Sequence, residues 1–344
     1  MTPRCTGGPA HPSAPAEAAG PIRLLVMMLR PPVALVLLVS AALGMAPSGR
    51  AEGLHPLFTT VAVIVSCWFI HATVLNDLGD EAIDRVNLVN ARGRPLVSGA
   101  TTRARLLALG CGTGLVALVV AWAVNWRVGI VVTVGLGLNA AYSLRPVRLS
   151  DRGVVASLLL PLGYVALPFL VGVFSVEPDL HRVDVILLVG LYVTFIGRIV
   201  LKDFRDIRGD ERFGKRTFLV RYGRTATCVF SAACWVAGSA TLLALVPLRS
   251  LLVGAFVAYL ACVVDGLRRL HAARGPVEEQ VVIGAVAQVG RGMAVALLAH
   301  FAMVHQQWSP GAQGAVMLAL AFTFAGMYVA ILGERHTVSS IRPY

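Results

Sequence analysis

Two short segments of this sequence carry aspartates at the same spacing, D-x-x-D-x-x-x-D. Their members are Asp77, Asp80 and Asp84, preceded by Asn76, and Asp203, Asp206 and Asp210, preceded by Lys202. Residues three, four and seven apart lie on one face of an α-helix, so each segment would present its carboxylates as a stripe. Such like charges repel, and a divalent cation relieves the repulsion. Mg²⁺ is bound by a few carboxylates together with water and substrate phosphate, so two facing stripes would hold a diphosphate between Mg²⁺ ions.

The composition predicts that membrane helices position these stripes. Of the 344 residues, 57% are hydrophobic and 14% are charged, and the mean hydropathy is +0.75. Soluble domains carry about a quarter of charged residues. A membrane-spanning helix needs about 20 mostly apolar residues, and ten segments approach that pattern. They are 23–46, 56–78, 104–124, 127–144, 153–175, 183–203, 225–247, 249–267, 281–305 and 313–333. We therefore expect an all-α, polytopic bundle.

The basic residues predict the orientation of this bundle. With the N-terminus inside, nearly every arginine outside the spans falls on the cytoplasmic side, as is typical of membrane proteins. Only Arg50, Arg127, Arg182 and Arg249 fall on the other side. The net charge of +12 then reflects topology, and nucleic acid is not an expected partner. Both acidic segments follow even-numbered spans, so both are expected at the cytoplasmic face.

The expected organisation is a disordered tail over 1–21, a membrane domain over 22–333 and a short tail over 334–344. The acidic segments 76–84 and 203–210 share their spacing, which indicates two related halves within the membrane domain. The five cysteines beyond Cys5 lie in apolar segments without a CxxC pair, so neither a disulfide framework nor a zinc site is predicted.

Several motifs together resemble the UbiA superfamily of intramembrane prenyltransferases. They are the two acidic segments, Arg30-Pro31 at the first span, Arg94-Pro95-Leu96-Val97-Ser98-Gly99 after the first acidic segment, Tyr142-Ser143 at the fourth span and Gly214-Lys215-Arg216-Thr217 after the second acidic segment. The resemblance covers roughly residues 22–305. It implies a bundle of about nine or ten spans around a lipid-accessible chamber. It also implies Mg²⁺-dependent transfer of a prenyl group from an allylic prenyl diphosphate to a lipophilic, usually aromatic, acceptor dissolved in the membrane lipid.

The resemblance also assigns roles to residues. The metal ligands would be Asn76, Asp80, Asp84, Asp206 and Asp210. Contacts to the diphosphate would come from Arg94, Lys202 and Arg198, with Arg30 and Arg148 as further candidates. Arg198 and Lys202 would share one helical face, being four residues apart. Asp77 and Asp203 would orient their neighbours or act as bases, and Tyr142 would contact the allylic cation or the acceptor.

Two departures from the family pattern leave questions open. The run at 313–333 makes a tenth span, where nine are usual. The segment after the fourth span has Ser150 where the pattern YSxPPxRxK ends in lysine, so the acceptor remains open.

Three alternative functions differ in what they would require of the acidic segments. A terpene cyclase would use the same acidic segments without an acceptor. A cation-coupled transporter would place its carboxylates nearer the bilayer midplane, and a CDP-alcohol phosphotransferase would need its aspartates in a single stretch.

Overall fold

A computed structural model describes residues 19–48, 54–87, 94–212 and 214–333, and every regular element in those ranges is helical. The helices are α1 (Pro21–Leu29), α2 (Pro31–Met45), α3 (Leu54–Asn87), α4 (Arg103–Val124), α5 (Trp126–Ser143), α6 (Val154–Pro161), α7 (Leu167–Val176), α8 (Arg182–Ile199), α9 (Asp203–Arg212), α10 (Phe218–Leu243), α11 (Leu251–Ala272), α12 (Pro276–His305) and α13 (Pro310–Gly333). This confirms the all-α membrane class. The predicted tails lie almost entirely outside the described residues.

The number of membrane spans differs slightly from the sequence prediction. By length and composition, 8 helices in the described ranges are able to cross a membrane, or 9 if α1 and α2 form one bent span. Each of the ten predicted segments coincides with one helix or with consecutive helices, namely α1 and α2 for 23–46 and α6 and α7 for 153–175. The predicted segment that is not counted as a span in the structure is α5, which has 18 residues and includes the polar residues Arg127 and Asn139.

Close helix crossings hold the bundle together. The backbones of α2 and α7 meet at Gly44 and Gly172, where an added Cβ would collide with the carbonyl oxygens of Phe169 and Ala41 respectively. Small residues permit such approaches in membrane proteins, where lipid tails are as apolar as the side chains and packing must supply the attraction. The last helix, α13, packs on α11 and α12 and leaves most of its surface exposed.

Three irregularities interrupt the helices around one central cavity. Arg30 joins α1 to α2 with a φ of 44°, and the two helices are bent by 61° there. A π-helical turn follows Pro161 and carries Tyr164. A 3₁₀ turn over Val200–Lys202 separates α8 from α9. Irregular turns of this kind are frequent at functional sites, and Arg30, Tyr164 and Lys202 all line the cavity.

Candidate active site

One cavity of about 790 Å³ brings the two acidic segments together. Its wall changes character along α3, from Trp68 and Phe69 through Thr73 to Asp80 and Asp84. At about 1.5 Å per residue this gradient extends over roughly 24 Å. The inner part of the cavity, near Trp68 and Phe69, is therefore apolar and aromatic, and the end near Asp80 and Asp84 is polar. The charged and amide side chains at the polar end are Arg30, Asn76, Asp80, Asp84, Arg94, Lys202, Asp203, Arg205, Asp210 and Lys215.

The first acidic segment lies on a single continuous helix, as the spacing predicted, because α3 runs to Asn87. Gly79 within this segment lies against the end of α5. A Cβ added to Gly79 would lie 2.5 Å from the Ser143 carbonyl oxygen. The absence of that side chain brings Tyr142 and Ser143 to the cavity wall beside Asp80.

Asp77 holds two arginines in place. Its Oδ1 accepts hydrogen bonds from Arg30 Nη2 at 2.6 Å and from Arg94 Nη1. Arg94 also places its Nε 3.1 Å from Asp84 Oδ2. Asp77 is 2% exposed and lies behind the cavity wall, whereas both arginines line the cavity. The contact also explains the strained backbone at Arg30, because a positive φ at a non-glycine residue costs on the order of 1–3 kcal/mol and persists only where surroundings hold it.

Asp80 is bordered by cations from two other segments. Arg148 Nη2 donates to Asp80 Oδ1 at 2.8 Å, and Lys215 Nζ lies 3.8 Å from the same oxygen. Asp151 joins them, with Oδ2 at 2.9 Å from Arg148 Nε and Oδ1 at 3.6 Å from Lys215 Nζ. Arg148 has a positive φ of 37°, so both non-glycine residues with strained backbone at this site are arginines that contact the first acidic segment.

The second acidic segment forms α9 and faces the same cavity. Asp203 and Asp210 are buried, and both line the cavity, as does Lys202. The side chain of Asp206 lies outside the described part of the structure. The prediction that the two segments share one site agrees with this arrangement of Asp203 and Asp210.

Other predicted residues lie in different places. Tyr142 and Asn76 line the cavity, and Asn76 Nδ2 donates to Asp80 Oδ2 at 2.8 Å. Arg148 contacts Asp80 but does not itself line the cavity. Arg198 lines a second cavity with Arg291 instead. The 3₁₀ turn between Arg198 and Lys202 breaks the α-helical repeat on which their shared face was predicted.

The sequence motifs assign no role to Lys215 or to the aromatic residues of the inner cavity wall. Lys215 lies in the quoted Gly214–Thr217 motif, but only the fold shows that it reaches Asp80. Tyr164 stacks on Phe195 with ring centroids 5.4 Å apart and contacts Phe69 edge-on at 5.9 Å. No motif marks these aromatic residues, because their spacing is that of ordinary packing residues.

The oxygen donors at the polar end suit a hard divalent cation. Carboxylates and an amide, without histidine or cysteine, are the ligand set that Mg²⁺ prefers. Among the described side chains, no group of three or more acidic, histidine or cysteine residues is arranged to hold a metal. The carboxylates of Asp80 and Asp84 instead contact arginines. The donor types fit Mg²⁺, and the ligand set from the sequence stays a prediction.

Comparison with known proteins identifies the family. A model of the UbiA prenyltransferase family matches residues 34–280. The chain belongs to this family. The bacteriochlorophyll synthase 34 kDa chain of Chloroflexus aurantiacus is 29% identical over 152 residues, which cover 44% of this chain and 47% of that protein. Homogentisate phytyltransferase of Synechocystis is 28% identical over 181 residues, covering 49% of this chain and 57% of that protein. The matches to these relatives thus span about half of their length.

The fold has solved counterparts. A UbiA homologue from Archaeoglobus fulgidus, bound to DMAPP and Mg²⁺, superposes with a TM-score of 0.53 at 17% identity and covers 90% of this chain and 99% of that chain. At this identity the likeness concerns the fold alone. Together with the long apolar helices, the family match makes this chain an integral, multi-pass membrane protein of the UbiA fold.

Proposed function

We propose that this protein transfers a prenyl group from an allylic prenyl diphosphate to a lipophilic acceptor and releases diphosphate. The proposal rests on the change from polar to apolar lining residues within one cavity. Its polar end combines carboxylates with Arg30, Arg94, Lys202 and Lys215, and its depth is apolar and aromatic. A prenyl diphosphate has the same division, with a charged head and a hydrocarbon tail.

Binding of the head depends on cations that the carboxylates already hold in position. Asp77 orients Arg30 and Arg94, and Lys215 lies close to Asp80. Mg²⁺ would be held by Asn76, Asp80, Asp84 and Asp210, with Asp206 as a predicted ligand, and when bound it would supply positive charge to the departing diphosphate. A homologue of the same fold from Archaeoglobus fulgidus is bound to Mg²⁺ and DMAPP, which supports the proposed use of Mg²⁺ with a prenyl diphosphate.

The reaction breaks the bond between C1 of the prenyl group and the diphosphate oxygen, and the electron pair leaves with diphosphate. A nucleophilic atom of the acceptor forms the new bond to C1 and loses a proton. Arg30, Arg94, Lys202 and Lys215 stabilise the growing negative charge. The apolar wall around Tyr164 and Phe69 keeps water from the allylic cation, and Asp203 is a candidate to take the proton because it is buried at the cavity wall.

The acceptor is proposed by class only. One relative is named a bacteriochlorophyll synthase chain and the other a homogentisate phytyltransferase, and homogentisate is an aromatic acceptor. For this chain we propose an aromatic or comparable electron-rich acceptor that enters from the lipid. From the arginine distribution we propose that the polar end of the cavity and the N-terminus lie on the cytoplasmic side.

The test is release of diphosphate by the purified protein in nanodiscs. Allylic diphosphates of C10, C15 and C20 are supplied with Mg²⁺, with and without a panel of aromatic acceptors. We expect release that depends on Mg²⁺ and on an acceptor, and loss of release in Asp80→Asn and Asp210→Asn. Glu177→Gln, at the opposite end of the bundle after α7, is the matched control and should retain activity.

Each outcome distinguishes between the competing readings. Release without acceptor, together with a hydrocarbon or terpene alcohol product, would replace the transferase by a cyclase. Activity that persists in Asp80→Asn and Asp210→Asn at the rate of Glu177→Gln would contradict the assignment of this cavity.

A further inference from the structure

A second cavity, of about 50 Å³, lies between α2, α8, α10 and α12 and contains two arginines. Arg198 of α8 and Arg291 of α12 line it together with Phe195, Trp235 and Leu35. We call it the arginine cleft. Charged side chains within membrane-spanning helices are rare and indicate a functional site by default. The proposed transfer reaction uses neither arginine.

Among the described residues, both guanidinium groups contact uncharged partners. Arg291 donates from Nε to Gln288 Oε1 at 2.8 Å and from Nη1 to the Pro32 carbonyl oxygen at 3.2 Å. The Arg198 guanidinium carbon lies 5.2 Å from the centre of the Phe195 ring. Within the part of the chain that the structure describes, no ion pair joins either guanidinium to a carboxylate.

Two like charges in one cleft repel each other, and one anion placed between them would offset that repulsion. Arginine suits such an anion because its planar fork donates two parallel hydrogen bonds to a phosphate or carboxylate. The free volume limits the size of the group that enters. The cleft has about 50 Å³, against about 790 Å³ for the main cavity, so it suits one small anionic group rather than a second prenyl diphosphate with its tail.

The wall of the cleft indicates where the anion comes from. Leu35 on α2 is 45% exposed and forms part of this wall, so the cleft opens on the outer surface of the bundle, which faces lipid. The remaining wall is largely apolar, with Val39, Leu191 and Met293. A molecule with one phosphate and long acyl chains complements both features.

We propose that the arginine cleft binds the phosphate of an anionic membrane phospholipid, with the acyl chains on the lipid-facing surface beside α2. The lipid would join α2 to α8 and α12 and so stabilise the bundle around the main cavity. This proposal is independent of the transfer reaction, since it concerns a different cavity and a different ligand.

The experiment compares phosphatidylglycerol with phosphatidylcholine of the same acyl chains. Thermal unfolding of the full chain in detergent is followed as each lipid is added, and retained lipid is identified by native mass spectrometry. We expect the wild type to gain stability from phosphatidylglycerol in preference to phosphatidylcholine. Arg198→Gln and Arg291→Gln should each weaken the binding of phosphatidylglycerol by about tenfold or more, the loss expected for a charge-assisted hydrogen bond.

Arg127→Gln is the matched control, because Arg127 also stacks on an aromatic ring, that of Trp126 at 4.6 Å, but lies outside the cleft. It should keep the wild-type lipid preference. Arg291→Lys keeps the charge without the planar fork and should keep more of the preference than Arg291→Gln, which separates loss of the anion site from loss of folding. Equal stabilisation of the wild type by both lipids, or an unchanged preference in folded Arg198→Gln and Arg291→Gln, would overturn the proposal. Competition by inorganic phosphate alone at millimolar concentration, without any retained lipid, would also overturn it in favour of a free-phosphate site.

Discussion

Trp68 forms the floor of the main cavity. It is buried on α3, about 12 Å along the helix from Asn76 at 1.5 Å per residue. Its indole is held between two glycines: an added Cβ would lie 2.7 Å from Trp68 Nε1 at Gly135 and 3.3 Å from Trp68 Cη2 at Gly163. Trp68 also lines a small void of about 10 Å³ beyond the main cavity. We predict that Trp68→Leu extends the chamber and increases the length of prenyl chain that the protein accepts.

The magnitude follows from steric exclusion. A tail that is too long must displace the indole, and overpacking of this kind costs about 1–3 kcal/mol. Burial of the tail itself adds little, because the substrate is already dissolved in lipid that is as apolar as the chamber. Removing the indole should therefore raise the ratio of kcat/KM for the longer over the shorter diphosphate by about 5- to 150-fold, the factor that corresponds to 1–3 kcal/mol. Leucine is preferred to alanine, because Trp→Ala in a core costs about 3–5 kcal/mol of stability.

The assay measures kcat/KM for C10, C15 and C20 diphosphates with one acceptor, and thermal unfolding verifies that each variant is folded. Trp122→Leu is the control, because Trp122 is 49% exposed and lies outside the cavity. It should keep the wild-type order of chain lengths. A folded Trp68→Leu protein with the wild-type order would show that the indole does not limit the tail.

Three further predictions concern the polar end. Asp77→Asn removes the charge that two cavity arginines share, and hydrogen bonds to charged groups contribute about 1.5–3 kcal/mol. KM for the prenyl diphosphate should therefore rise about tenfold or more, with a smaller change in kcat. An unchanged KM would argue against the positioning role of Asp77. Gly79→Ala should lower kcat/KM by pushing α5 away from α3, whereas Gly112→Ala, which has open space around it, should not; equal activity of the two variants would contradict the packing argument. Lys215→Met should raise KM for the diphosphate in steady-state kinetics, and Lys215→Arg should restore it. An unchanged KM in Lys215→Met would show that Lys215, although close to Asp80, does not contact the diphosphate.

The sequence predicts those parts of the site that depend only on the local geometry of a helix. The spacing of the first acidic segment needs only a continuous helix, and α3 provides one through Asp84. The long apolar runs and the arginine distribution place both segments at one end of a helical bundle. The structure accordingly brings Asp80, Asp84, Asp203 and Asp210 to one cavity.

Long-range packing decides what the sequence does not predict. The expectation that Arg198 and Lys202 share one face relied on an unbroken helix. The 3₁₀ turn at Val200–Lys202 changes the direction of Lys202 relative to Arg198, and Arg198 lines another cleft. Lys215 reaches Asp80 from the segment before α10, so no spacing rule connects the two. Trp68 is an ordinary apolar helix residue in the sequence, and only the approach of Gly135 and Gly163 makes it a floor.

We propose that one cavity binds both the charged head and the hydrocarbon tail of a prenyl diphosphate. A C15 diphosphate analogue with a photoreactive group at the far end of its tail tests this proposal. After irradiation in nanodiscs with Mg²⁺, peptide mass spectrometry should locate the label on the deep wall near Trp68, Phe69 or Tyr164. Unlabelled prenyl diphosphate should compete, and Asp80→Asn should reduce labelling. Labelling confined to lipid-facing residues such as Leu115 or Val119, with no effect of competitor or of Asp80→Asn, would show that the tail does not enter this cavity.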